Sequence, residues 1–309
     1  MNAPIEPAAY EAPVEEATLS IPARDGFLLG ARLFRREGQA DAPDAAVFAS
    51  GGGLSVVRYR HFLRYLAAEG IPVLAYDYRG VGLSRPARLR GFVAGLEDWA
   101  ELDQAGAIDA TRERYPAARV TSIAHSIGSL VAATAPNAES LSQLVFIGPH
   151  TGYWRDYARG WRFPMALTWH LAMPALTRAV GFFPGHALGL GDDLPRGFAL
   201  QWAGRTTPAF NLGHDDAARE RGARLLASGI ALGVPALVIS FADDAFASER
   251  GVRRFLHAIP SAPVVRRHLE PGAGAGYGHF GFFSRRHRAQ WSIVSRFLAP
   301  AGTLGRTAA

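Results

Sequence analysis

The chain has 309 residues, 49% of them hydrophobic, 19% charged and 11% aromatic. That is enough apolar material for one sizeable core, or one core with a smaller appended unit, and it argues against disorder. The formal net charge is +6, all 33 of the Lys and Arg positions being arginine, scattered with only short pairs such as Arg35–Arg36 and Arg285–Arg286; nucleic acid, which needs a clustered basic face, is not an expected partner.

There is no cysteine, which excludes disulfides, thiol catalysis and cysteine-ligated zinc or iron–sulfur sites and fits a reducing, cytoplasmic setting. Residues 1–15 are acidic and proline-rich, without the basic and apolar regions of a secretory leader, and read as a disordered N-terminal tail. Eight strand candidates follow, at 18–22, 27–34, 45–49, 72–76, 120–124, 144–147, 236–241 and 263–269. The first two flank an Arg24-Asp25-Gly26 turn. Most of the others are near-continuous Val/Ile/Leu/Ala runs, as expected of strands covered on both faces.

Helical stripes alternate with these runs. Tyr59, Phe62, Leu63 and Leu66 share one face, and Gly70 stops that helix. Trp99, Leu102, Ala105 and Ile108 mark a second. A hairpin followed by strand–helix alternation predicts an α/β fold with a mostly parallel sheet and helices on both faces. The alternation breaks between about His150 and His214. This stretch holds Trp154, Trp161, Trp169 and Trp202, four of the six tryptophans, and no strand-like run, and reads as a helical insertion. Its most apolar window, 163–183, contains His170, Pro174 and Arg178, so no membrane span is expected. The implied layout is a core of 16–149 and 215–300, a helical cap at 150–214 and a C-terminal tail at 301–309.

The stretch from Val120 to Ala133 carries the clearest chemistry. A buried strand ends at Ala124 and a helix of small residues begins near Gly128, with Ser126 between them. So sharp a reversal holds the serine in a strained conformation at the C-terminal edge of the sheet, and the residues two before and two after it must be small. The N–H of Ile127, at the start of the helix, would face an oxyanion formed when the serine attacks a carbonyl.

This arrangement resembles the G-x-S-x-G nucleophile motif of the α/β-hydrolases, with Ala124 in place of the first glycine. Three further stretches carry the resemblance. Phe48–Ser55, FASGGGLS, follows the first buried strand, and the likeness implies that Gly52 or Gly53 gives a second oxyanion N–H. Phe241–Ser248, FADDAFAS, resembles the family's acid loop, with Asp244 as the triad acid and Asp243 as its rival. Gly276–Phe283, GYGHFGFF, places His279 between glycines and aromatics before a last helix, on which His287 is expected to fall. The order Ser126, Asp244, His279 is the α/β-hydrolase order. Asp77–Pro86, DYRGVGLSRP, resembles a further loop of many members.

The likeness is nearest to the serine-aminopeptidase and monoglyceride-lipase-like branch, including bacterial hydrolases of unassigned substrate. It implies an eight-stranded α/β-hydrolase fold and a serine hydrolase acting through an acyl-enzyme on an ester or thioester, like a carboxylesterase, lipase or thioesterase. The substrate would be a small acyl compound with an apolar portion, its pocket including Leu54, His125, Trp154 and Trp161, with no cofactor and no metal. An acyltransferase with the same triad and a binding protein on the same fold are the alternatives; oligomeric state is open. Absence of lysine excludes a P-loop, and Gly80-Val81-Gly82 lacks the third glycine of a dinucleotide fingerprint. His214, Asp215 and Asp216 read as a helix start, not a metal site.

Overall fold

The structure, a computed structural model, describes residues 12–206, 215–272, 274 and 276–299. β1 (Val14–Pro22) and β2 (Leu28–Arg36) pair antiparallel. Gly26 turns the hairpin with φ +83°, and the Asp25 carboxylate accepts the Phe27 N–H at 3.2 Å. β1 begins before the expected tail ends, so Val14 and Glu15 belong to the sheet; residues 1–11 and 301–309 of the two expected tails lie outside the described residues.

Six short strands complete the sheet: β3 (Asp44–Ala49), β4 (Val73–Tyr76), β5 (Arg119–His125), β6 (Gln143–Ile147), β7 (Ala236–Phe241) and β8 (Val264–Leu269). The order across the sheet is β1-β2-β4-β3-β5-β6-β7-β8, and every pairing after β2–β4 is parallel. Each of the eight expected runs forms a strand. Parallel strands need crossover helices, which bury both faces. Alternate residues accordingly serve two cores. Val47, Ala124 and Val238 pack on one side, and Phe48, Ile123 and Ile239 on the other.

The second face is covered by α1 (Arg60–Ala68), which buries Phe62, Leu63 and Leu66, and by α10 (Ser292–Leu298). Gly70, at φ +90°, ends α1 as the sequence suggests. His287 is not on α10; it lies in the 3-10 stretch Arg285–Trp291 with non-helical dihedrals, at the kink before that helix. The first face carries α3 (Ala105–Arg114), α4 (Gly128–Thr134), α8 (Asp216–Ala231) and α9 (Glu249–Leu256). α2 (Leu96–Asp98) runs through a π-helical turn, Trp99–Gln104, into α3. The extra residue of a π-turn shifts the helical face. The expected stripe therefore breaks: Leu102 is only half-buried, while Asp103 turns inward to bind Arg79 at 2.6 Å. Asp215 caps α8, accepting the Ala218 N–H, which agrees with a helix start; His214 lies outside the described residues.

Between β6 and α8 the described chain is mostly helical: α5 (Arg159–Leu167), a π-turn at Thr168–Ala172, α6 (Met173–Val180) and α7 (Arg196–Ala203). The stretch is not wholly without β pairing, since Phe183 and Leu194 form an isolated antiparallel bridge. Phe198 of α7 stacks on Trp99 at 4.4 Å, and Trp99 on Tyr78 at 4.4 Å, which fastens this helical segment to the first-face core.

Asp77, after β4, ties three turns together. Its carboxyl accepts the Val56 N–H at 2.7 Å, the Ser55 hydroxyl at 2.9 Å and the Leu83 N–H at 2.8 Å. Burial pushes the Asp77 pKa up to about 6, against the pull of those three donors. Gly82 has no room for a Cβ beside this carboxylate. The Asp77–Pro86 loop is thus a structural knot, and none of its residues lines the cavity described below. Asp77→Ala should strand three donors and lower unfolding free energy by about 3 kcal/mol or more, measured by urea titration; Asp77→Asn, which keeps acceptors, should recover part of the loss.

Candidate active site

β5 and β6 are parallel neighbours in the register Ala124↔Phe146 and His125↔Ile147. The chain leaving β5 must turn at once into α4. Ser126 makes the turn with φ +57°, the sole positive φ outside glycine among the described residues. A left-handed L-residue costs on the order of 1 kcal/mol, and such strain gathers at functional sites. Its N–H is held by the Ile147 carbonyl at 3.0 Å. Two residues on, a Cβ at Gly128 would collide with the Ser50 and Ala49 carbonyls, so α4 can begin this close to β3 only with glycine there.

The structure brings Ser126, Asp244 and His279 together. The Ser126 Oγ lies 2.9 Å from His279 Nε2, and His279 Nδ1 lies 2.8 Å from Asp244 Oδ2. Asp244 Oδ1 accepts the N–H groups of Phe246 and Ala247, each at 2.8 Å. Burial opposes the Asp244 charge, but the facing His279 and these donors hold its carboxyl below the ordinary range. A carboxylate only accepts, so Nδ1 of His279 bears the proton and Nε2 of the neutral ring accepts from the serine hydroxyl. Asp243 is elsewhere: its exposed carboxylate accepts the Gly278 N–H at 3.0 Å and pins the loop that carries His279.

A second histidine meets the serine. His150, three residues beyond β6, places Nε2 2.9 Å from Ser126 Oγ. Its Nδ1 accepts the Gly152 N–H at 3.0 Å, so Nε2 is the protonated nitrogen and donates to Oγ. Burial, then the neighbouring His279, lowers the His150 pKa to about 3, which leaves its ring neutral. The Ser126 oxygen therefore gives a hydrogen bond to one imidazole and receives one from another. The sequence reading placed His150 only at the border of the insertion. Its signal was the adjacency of β5 and β6, which puts the residues just past both strand ends side by side.

His125 and Trp154 do not line the cavity. His125 is fully buried beneath the site. The His279 carbonyl takes its Nε2–H at 3.0 Å, so Nδ1 accepts from the Tyr59 hydroxyl at 2.9 Å, and that hydroxyl accepts the Gly51 N–H at 3.0 Å. Burial holds the His125 pKa well below its usual value and keeps the ring neutral. This chain of bonds joins the glycine loop after β3 to the loop carrying His279. Trp154 sits in the 3-10 turn Trp154–Asp156, with Arg155 over its ring.

Above the serine is a cavity of about 790 Å³. Its floor holds Ser126, Ile127, His150 and His279, and its walls include Leu54 and Trp161 from the expected set. Of the two candidate glycines, Gly52 lines it, with its Cβ position 3.2 Å from the Ile127 side chain. Gly53 turns away: it packs against Leu194, and its carbonyl accepts the Asp192 N–H at 2.8 Å. Among the described residues the N–H groups of Gly52 and Ile127 have no acceptor. No metal-ligating cluster occurs among the described residues, and no helix there is long and apolar enough to cross a membrane.

Residues 41–187 match the family described as serine aminopeptidase. No curated protein matches the chain in sequence. Solved structures similar to it include an esterase of Pyrococcus furiosus, 19% identical with a TM-score of 0.61, covering 92% of this chain and 90% of that one. A puromycin hydrolase is 19% identical with a TM-score of 0.55, over 96% of this chain and 42% of that one. An acylaminoacyl peptidase of Pyrococcus horikoshii is 16% identical with a TM-score of 0.55, over 92% of this chain and 41% of that one.

Tyr59→Phe should leave the Gly51 N–H and the His125 Nδ1 without their partner. A loss of roughly 1–3 kcal/mol in unfolding free energy is expected, read by chemical denaturation.

Proposed function

We propose that this chain, which has the α/β-hydrolase fold and matches the serine aminopeptidase family over residues 41–187, is a serine hydrolase that cleaves carboxylic esters or thioesters through an acyl-enzyme on Ser126. The observation that carries this reading is the unbroken relay Asp244–His279–Ser126 at the floor of a large, mostly apolar cavity.

His279 takes the hydroxyl proton as Ser126 Oγ attacks the acyl carbon, while Asp244 holds the ring tautomer and stabilises the imidazolium. The carbonyl oxygen becomes an oxyanion received by the N–H groups of Ile127 and Gly52, where each such donor is worth about 2.7–4 kcal/mol in the transition state. His279 then passes the proton to the leaving alcohol or thiol. Water attacks the acyl-enzyme with His279 as base, the carboxylic acid leaves, and Ser126 Oγ regains its proton. His150 belongs to this last step. When Oγ is expelled it carries developing negative charge, and the neutral His150 N–H is already aimed at it.

An apolar acyl or alcohol portion fits the walls, which include Trp161, Trp169, Phe198 and Trp202 from the segment that follows β6. We assign that segment the role of a cap over the site. Free N-terminal amines fit poorly: no Asp or Glu among the described residues lines the cavity to pair with an ammonium group.

Wild-type protein should be labelled stoichiometrically by a fluorophosphonate, and Ser126→Ala should not; an unlabelled, folded wild type contradicts the reading. His150→Ala should lower kcat by roughly 10–100-fold with KM little changed, and His150→Gln, which keeps a donor, should restore part of it. Because burial lowers the His150 pKa to about 3, its replacement by Gln should leave the acid limb of the kcat profile unmoved.

A further inference from the structure

Among the described residues, the cavity lining carries arginines and no carboxylate. Arg58, from the 3-10 turn Val56–Tyr59, and Arg285, after the His279 loop, both line it, as does His61. Both arginines are exposed. Among the described residues neither forms an ion pair with a carboxylate; Arg285 Nε instead donates to His61 Nδ1 at 3.2 Å. That bond leaves the His61 Nε2–H as a further donor. Burial, then the charges of Arg285, Arg60 and Arg64, lowers the His61 pKa against the opposing charge of Glu16.

The surface behind the rim has the same sign. Arg32, Arg60 and Arg64 all share the single carboxylate of Glu16, with Arg60 and Arg64 at 2.9 and 2.6 Å. Three guanidiniums on one carboxylate leave two positive charges over. An apolar wall carrying tryptophans thus meets a rim of guanidiniums around one nucleophile. Such a rim draws anions and fixes their orientation, and guanidinium matches both carboxylate and phosphate geometry.

We propose that the substrate is an anionic amphiphile. Its apolar portion packs on Trp161 and Trp169, its acyl carbonyl meets Ser126, and its carboxylate or phosphate group is bound by Arg58 and Arg285. This rests on the serine-hydrolase reading and adds the charge of the substrate to it. The bond changes are those of ordinary acyl transfer to water, and the anion takes no part in them.

The test uses the full chain and matched acyl probes. S-butyryl-N-acetylcysteamine and butyryl-coenzyme A share a thioester, and the second adds phosphates on the leaving group. p-Nitrophenyl butyrate and mono-p-nitrophenyl glutarate share a leaving group, and the second adds a carboxylate on the acyl end. In at least one pair the anionic member should have kcat/KM higher by roughly tenfold or more, the size expected of one or two well-placed charge contacts. The pair that responds tells phosphate from carboxylate. The anionic-to-neutral ratio should fall several-fold in Arg58→Gln and in Arg285→Gln, drop below one in Arg58→Glu/Arg285→Glu, and shrink as salt rises from about 0.05 to 0.5 M. Two exposed sites on separate segments guard against a folding artefact at either. Equal kcat/KM within both pairs, or a preference untouched by the double charge reversal, overturns the anionic substrate while leaving the hydrolase reading intact. No turnover of any probe together with no fluorophosphonate labelling overturns both.

Discussion

The left-handed backbone at Ser126 is the constraint on which the site depends. With φ at +57° at Ser126 the chain passes from β5 to α4 in two residues, Ser126 and Ile127, and the hydroxyl is thrown out above the sheet edge rather than into either core. A relaxed conformation would carry Oγ away from both histidines. The strain is small against what holds it. The Ile147 carbonyl fixes the serine N–H, β3 and β6 flank β5, and Gly128 lets α4 begin against the Ser50 carbonyl. The surrounding sheet makes the unfavourable turn the only one that fits.

Above this turn the polar groups form two linked systems. One is the relay through His279 to Asp244, with the His150 donor on the other side of the oxygen. The other runs beneath, from the Gly51 N–H through Tyr59 and His125 to the His279 carbonyl. Both His125 and His150 are kept neutral by burial. Each therefore has one donor and one acceptor nitrogen, and each uses both. A neutral imidazole gives fixed direction without placing a fixed positive charge beside the base that must accept a proton.

Much of the fold could be read from the chain because parallel strands covered on both faces announce themselves as apolar runs. The motif around Ser126 and the loops bearing Asp244 and His279 were legible for a related reason: each follows such a run by a few residues. What stayed hidden depended on lateral register. His150 acts on Ser126 because β5 and β6 are neighbours, and pairing order is not written in either strand. His125 was misplaced in the pocket although strand alternation puts it on the same face as Ile123, toward the core beneath. Trp154 was misplaced because an aromatic residue near a site signals burial in general, not a particular wall. The π-turn at Trp99–Gln104 was invisible because one inserted residue leaves the hydrophobic count of a short helix almost unchanged.

The central claim is that the Ser126 hydroxyl donates to His279 and accepts from His150. Nitrogen-15 NMR of histidine-labelled protein at neutral pH tests it directly, with the two rings assigned by His150→Gln and His279→Gln. The account predicts a proton on Nδ1 of His279 and on Nε2 alone of His150. A His150 ring protonated on Nδ1, or on both nitrogens, would contradict it.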